Sequence, residues 1–303
     1  MQIERESQKC AIVALIGAPN AGKSTLVNQL TGAKVSIVTH KVQTTRARIR
    51  GIAIEGESQL VLVDTPGIFA PKRRLDRAMV DAAWGGARDA DITLLLIDAA
   101  KGLNSEAKNI LKGLENVGGP KLLILNKVDL LKKETLLQLT GKISGTAKFD
   151  ETFMVSALNG DGVADLKSYL AEHAPAGPWL YPEDQISDAP MRHLAAEITR
   201  EKLTLRLHQE LPYASTVETS LWKELKGGRV RIEQTVYVMR DSQKKIVLGK
   251  NGQTIKNISM EARKELSGIL GVPVDLFLFV KVRQKWGEDP ERYAEMGLEF
   301  PKN

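Results

Sequence analysis

The chain has 303 residues, of which 43% are apolar and 26% charged, and a formal net charge of +6. That length gives room for two domains, each with its own core, while no apolar run approaches the roughly 20 residues that cross a bilayer and Met1 to Lys9 is too polar for a secretory signal; the sequence therefore reads as soluble and non-secreted. A single cysteine, Cys10, excludes an internal disulfide, and four histidines without ligand spacing offer no metal-site pattern.

The first predicted strand, Ala11 to Ile16, runs into Gly17-Ala18-Pro19-Asn20-Ala21-Gly22-Lys23-Ser24, and a helical pattern opens at Ser24-Thr25-Leu26 and stops near Thr31, before Gly32. Strand, glycine-rich turn and helix in that order form a P-loop, whose backbone N–H groups converge on an anion at the positive end of the helix. Gly17 and Gly22 permit the turn and close phosphate approach, Lys23 reaches toward the β- and γ-phosphates, and the Ser24 hydroxyl suits Mg²⁺. A basic segment from Lys34 to Arg48 contains Gln43-Thr44-Thr45-Arg46. Arg48 to Glu55 and Ser58 to Val63 read as a hairpin, its second strand a buried run ending in Asp64-Thr65-Pro66-Gly67. An aspartate at the carboxyl end of a buried strand suits a Mg²⁺–water ligand, and Gly67 offers a backbone N–H to a γ-phosphate.

Two more buried strands, Ile92 to Asp98 and Lys121 to Asn126, flank a helix predicted over Ser105 to Val117, and the second ends in Asn126-Lys127-Val128-Asp129. The Asp129 carboxylate can accept from both the ring N–H and the exocyclic amine of guanine; adenine lacks that donor pair, so the pattern selects GTP over ATP. Thr152 to Val155 leads to Ser156-Ala157-Leu158, and a helix over Val163 to His173 closes a doubly wound, mostly parallel six-stranded α/β sheet with its ligand at the strand carboxyl ends.

Gly17–Ser24, Thr45, Asp64–Gly67, Asn126–Asp129 and Ser156–Leu158 resemble the five ordered motifs of translation-factor-related GTPases. The resemblance implies that Thr45, with Thr44 as the alternative, closes on Mg²⁺ and the γ-phosphate. It also implies that Asn126 contacts the purine, Lys127 packs over it, and the Ala157 N–H meets the guanine oxygen. Catalytic roles fall on Asn20, Lys23, Thr45, Asp64 and Gly67, and Mg²⁺ ligation on Ser24, Thr45 and Asp64; GTP contacts span Gly17 to Thr25 together with Asp64, Gly67, Asn126, Lys127, Asp129 and Ser156 to Leu158. Ile68 stands where Ras-like enzymes carry a water-orienting glutamine, so intrinsic hydrolysis is expected to be slow. Asn20 matches an asparagine that holds a monovalent cation in several GTPases lacking that glutamine, which leads us to expect potassium stimulation. Gly85-Gly86 is expected to soften the helix that follows Gly67.

Prolines 175, 178, 182 and 190 mark a linker. Beyond it come an amphipathic helix over Met191 to Gln209, strands over Ala214 to Leu225 and Arg229 to Arg240, and the turn Gly249-Lys250-Asn251-Gly252. An apolar helical stripe, Ile255, Ile258, Ala262, Leu266 and Ile269, and a strand over Val274 to Val282 follow. A Gly-x-x-Gly turn between helices brings backbone close to a sugar-phosphate chain, and the order of elements resembles a type II KH domain, a smaller α+β fold that binds single-stranded RNA. Arg240 to Lys285 holds ten basic residues against four acidic ones, which suits phosphate neutralisation. The RNA-contact candidates are Gly249, Lys250, Asn251 and Gly252 with Lys244, Lys245 and Lys256. Phe277 and Phe279 are assigned to the sheet rather than to base stacking.

The expected organisation is a GTPase domain over 1–175, a linker over 176–190, a KH domain over 191–285 and an extension over 286–303. This pairing resembles the Era family of bacterial GTPases. The resemblance implies a monomeric, cytoplasmic switch that binds the 3′ end of 16S ribosomal RNA, assists assembly of the small (30S) ribosomal subunit and associates peripherally with the inner membrane. Two other readings stand beside it: an RNA-binding nucleotide sensor without meaningful turnover, and a GTPase whose second domain contacts protein.

Overall fold

The computed structural model describes residues 7–301 except positions 43, 209–210 and 285–287. Gln43, Lys285 and Gln209, where the predicted helix from Met191 ends, lie outside the described residues. Two compact units interleave along the chain: Met1–Ser36, Thr45–Asp188 and Met296–Asn303 form the first, Ile37–Thr44 and Ala189–Glu295 the second.

The first unit begins with β1 (Lys9–Gly17), α1 (Lys23–Thr31), β2 (Ile49–Glu55), β3 (Ser58–Asp64), α2 (Arg74–Arg88) and β4 (Ile92–Asp98). It continues through α3 (Ser105–Leu114), β5 (Lys121–Asn126), α4 (Lys133–Ser144), β6 (Glu151–Val155) and α5 (Val163–Glu172). The six strands form one sheet in the order β2-β3-β1-β4-β5-β6, with only the β2–β3 hairpin antiparallel. Both faces are covered, which is why the central strands read as unbroken apolar runs. In β4, Leu94 and Leu96 enter a core with Leu26 and Leu30 of α1 and Leu166 and Leu170 of α5; Leu95 and Ile97 enter a second core with Ile110 of α3 and Ile143 of α4. Each fully buried leucine contributes about 2 kcal/mol. The crossover from β1 toward β3 on one side and β4 on the other opens the crevice at the strand carboxyl ends where the P-loop lies.

The structure departs from the sequence reading in three places here. Helix α3 ends at Leu114, short of Val117, and its start is fixed by the Asn104 side chain accepting from the Ala107 N–H at 2.9 Å. Helix α4 was not anticipated, because only Leu136, Leu139 and Ile143 of its residues are buried and its apolar pattern is thin. Gly85 and Gly86 do not soften α2; the helix runs through both, and a Cβ at Gly85 would meet the Arg48 guanidinium at 2.1 Å, so the glycine admits that side chain.

The second unit comprises α6 (Met191–Arg206), β7 (Ser215–Glu224), β8 (Val230–Val238), α7 (Asp241–Leu248), α8 (Gln253–Leu270), β9 (Val274–Val282) and α9 (Pro290–Glu295). Its sheet runs β7-β8-β9, antiparallel then parallel. Val230, Ile232, Val236 and Val238 of β8 face the helices, and Ile258, Ala262 and Leu266 of α8 meet that layer. Ile269, expected on the same stripe, is 38% exposed. Phe277 and Phe279 do lie in β9, with exposed rings, and the Arg231 guanidinium sits 4.8 Å from the Phe277 centroid. The patternless tail contains α9, where Arg292 pairs with Glu218 and covers the Tyr237 ring.

Candidate functional site

In the first unit, β1 ends at Gly17 and α1 begins at Lys23, so the intervening turn is carried on two rigid elements. Gly22 adopts φ 96°, and a Cβ there would stand 2.1 Å from the Asn126 Nδ2, which donates to the Ala21 carbonyl at 2.8 Å. A side chain at position 22 would break the bond joining the P-loop to the end of β5. Lys23 is buried and its Nζ donates to the carbonyls of Gly17 and Ala18, each at 3.1 Å. Burial pushes its pKa down to about 8, against the opposing charge of Asp64; a phosphate at the same place would favour the charged ammonium.

Four side-chain groups converge at the carboxyl end of β3. The Asp64 Oδ2 accepts from Ser24 Oγ at 2.7 Å, Ser36 Oγ at 2.7 Å and Thr45 Oγ1 at 3.2 Å, and the two hydroxyls of Ser24 and Thr45 lie 2.9 Å apart. Asp64 is fully buried, and its other oxygen, Oδ1, has no hydrogen-bond partner. Burial raises its pKa, an effect opposed by the hydroxyls of Ser24, Ser36 and Thr45 and by Lys23. An orphaned carboxylate oxygen beside two hydroxyls is the donor set of a hard divalent cation, so Ser24, Thr45 and Asp64 fit Mg²⁺. Thr44 is not part of the cluster, since its Oγ1 bonds Thr39 and the Lys41 carbonyl. Ser36 was missed: a lone serine in a basic loop carries no sequence signal.

Gly67 lies against the P-loop, where a Cβ would come within 2.9 Å of Pro19. The next N–H, that of Ile68, bonds the Gly17 carbonyl at 3.0 Å, and the Ile68 side chain is buried in the core. The residue at the water-orienting position is thus a packing residue. Asn20 has a left-handed backbone, φ 62°.

The candidate base-reading residues are joined through Asn126. Its Oδ1 accepts from the N–H groups of Lys127 at 2.8 Å and Ala157 at 3.0 Å, so the Ala157 N–H expected at the guanine oxygen is bonded within the protein. Lys127, at φ 65°, pairs with Asp98 at 2.6 Å. Ser156 Oγ accepts from the Asn159 N–H. Asp129 sits in a short 3₁₀ turn with its side chain exposed, and Leu158 is 78% exposed, so both are open to a ligand.

In the second unit the turn between α7 and α8 has positive φ at three of its four residues, Gly249 (φ 72°), Asn251 (φ 52°) and Gly252 (φ 74°). A Cβ at Gly249 would meet Thr254 Oγ1 at 2.1 Å, whereas one at Gly252 would meet nothing within 4 Å. Lys245, Lys250, Asn251 and Lys256 are exposed, and Lys244 is half-buried. The surface is thus open backbone flanked by ammonium groups, the form that follows a phosphate chain.

Residues 12–127 match the family model of the 50S ribosome-binding GTPases, and residues 210–287 match that of the KH domain. The chain is 66% identical over 300 residues to the GTPase Era of Brucella melitensis, with 99% of this chain and 96% of that protein covered. It is also 66% identical to the GTPase Era of Rhizobium meliloti over 97% of this chain and 94% of that one. Among solved structures, an Aquifex aeolicus Era variant bound to GDP and AlF4⁻ aligns with a TM-score of 0.90 at 37% identity, covering 96% of this chain and 99% of that one. Era in complex with MgGDPNP and nucleotides 1506–1542 of 16S ribosomal RNA aligns with a TM-score of 0.91 at the same identity and coverage.

Proposed function

The chain belongs to the Era family of GTPases, and from that premise we propose that its GTP cycle governs binding of the 3′ end of 16S ribosomal RNA in the KH domain and so assists assembly of the 30S subunit. The single observation that carries this reading is one polypeptide holding both the Ser24–Thr45–Asp64 cluster, with its orphaned carboxylate oxygen, and the exposed Gly249–Gly252 turn with its lysines. Support comes also from the relative crystallised with MgGDPNP and 16S nucleotides.

Mg²⁺, when bound, neutralises charge between the phosphate oxygens. The chain supplies the rest. Lys23 and the P-loop N–H groups hold the β- and γ-phosphates, Thr45 and Gly67 close on the γ-phosphate, and Asp129 reads guanine. Ile68 cannot orient water, so turnover is slow until another group or a monovalent cation beside Asn20 assists. The protein acts as a monomer in the cytoplasm; among the described residues no helix is long and apolar enough to cross a membrane.

The test is crosslinking of the GDPNP-bound protein to total cellular RNA, followed by sequencing of the fragments. Enrichment of the 16S 3′ end, lost with GDP, is the expected result. Fragments without that enrichment refute the ribosomal reading, and equal RNA affinity with GDP and GDPNP refutes the switch. Turnover in potassium is expected to exceed that in sodium; equal rates remove the role given to Asn20.

A further inference from the structure

Residues 37–44 join Ser36 and Thr45, two of the side chains that donate to Asp64, yet they belong to the second compact unit. Ile37 is 1% exposed in a core with Ala195 and Ile198 of α6. At the start of the segment the Val38 N–H donates to Glu201 Oε1 at 2.8 Å. In its middle, Lys41 Nζ donates to the carbonyls of Thr204, at 2.6 Å, and Leu207. At its end the Arg200 guanidinium donates to the Thr44 carbonyl, while its Nε donates to Glu197 at 2.7 Å. Arg200 and Glu201 are 2% and 3% exposed. Burying two charges on successive residues of a helix costs desolvation free energy that a pair of apolar residues would avoid. Their shared feature is that each grips a backbone group of this one segment.

We propose that Arg200 is a positioning residue for GTP hydrolysis, acting through the Thr44–Thr45 peptide. The carbonyl that it holds belongs to the same planar unit as the Thr45 N–H and Cα. Fixing that oxygen orients the plane from which the Thr45 side chain projects onto Asp64 and Ser24. Arg200 lies outside the stretch matched by the GTPase family model, and no motif in the sequence points to it. The proposal rests on the reading of Thr45 as the residue that closes on Mg²⁺ and the γ-phosphate.

The experiment is a double-mutant cycle on the full chain, with the affinities of GDPNP and GDP measured in the presence of Mg²⁺ for wild type, Thr45→Ala, Arg200→Gln and the double variant. Each single change is expected to lower the GDPNP-to-GDP affinity ratio about tenfold, and the double variant to be no worse than the weaker single one. Arg200→Lys, which keeps the Glu197 pair and one donor, is expected to recover most of the ratio, a rescue that a merely structural role does not predict. Lys41→Met tests the same segment without disturbing the buried arginine, and a severalfold drop is expected should Arg200→Gln fail to fold. An unchanged ratio in Arg200→Gln and Lys41→Met, or additive losses in the double variant, overturns the proposal while Thr45→Ala still shows its loss. An inert Thr45→Ala removes the reading of Thr45, and the proposal with it.

Discussion

The glycine-bearing turns before α1 and before α8 are built in opposite ways. In the first, Lys23 is buried and anchored on two carbonyls, and Gly22 packs against Asn126 at the end of β5. In the second, Lys250 is exposed and Gly252 faces open space. The first turn is partly buried and tied to the strand ends around it, which suits one compact ligand held by directed hydrogen bonds. The second is open along its length, which suits a polymer tracked by charge.

The largest effect expected is at the first turn. Gly22→Val forces a side chain into a left-handed position already filled by Asn126, and we expect nucleotide affinity to fall at least about a hundredfold by titration calorimetry; unaltered affinity would dissolve the contrast between the turns. The second turn contains its own control. Gly249→Ala collides with Thr254 and is expected to destabilise the protein by about 2 kcal/mol in urea unfolding. Gly252→Asp meets no neighbour, and aspartate enters the left-handed region more readily than most residues, so a stability loss of only about 1 kcal/mol is expected while RNA affinity is lost. Retained RNA binding in that variant would show that the turn does not hold a phosphate chain.

Base selection gives a smaller effect. Asp129→Asn is expected to cut the preference for GTP over ATP by about 1–3 kcal/mol, the cost of leaving guanine donors unpaired, read by competition binding. The smallest concerns the surface pair Arg206–Glu261, whose hydrogen bond holds the Glu261 carboxyl below its ordinary range. A depressed carboxylate stabilises the fold above its unfolded pKa and loses that contribution as pH falls through its folded value. With Glu261 47% exposed, Glu261→Gln is expected to cost under about 1 kcal/mol, and the difference from wild type to shrink in acid denaturation as pH falls below the ordinary glutamate range of about 4.3 and through the lower folded value.

The two regions also differed in how legible they were. The P-loop, Asp64 and the Asn126–Asp129 stretch were readable as motifs because each lies at or just beyond the end of a buried apolar strand, and a doubly wound sheet gathers strand ends at one edge. Glycine conformation was readable at Gly22 and Gly249 because the turn demanded it. The sequence directs Asn126 and Ala157 toward the base, and the structure adds that the Ala157 N–H donates to Asn126 Oδ1, a bond that a motif does not state.

Local sequence determined most strands and helices, which of their faces are apolar, and which short motifs suit phosphate and guanine chemistry, because hydrophobic periodicity and turn requirements act over a few residues. Only tertiary structure decided that Ser36 joins Thr45 on Asp64, that Thr45 rather than Thr44 reaches it, and that Arg200 grips the Thr44 carbonyl from 156 residues away. Such contacts arise when distant elements are packed into one core, and no spacing along the chain encodes them.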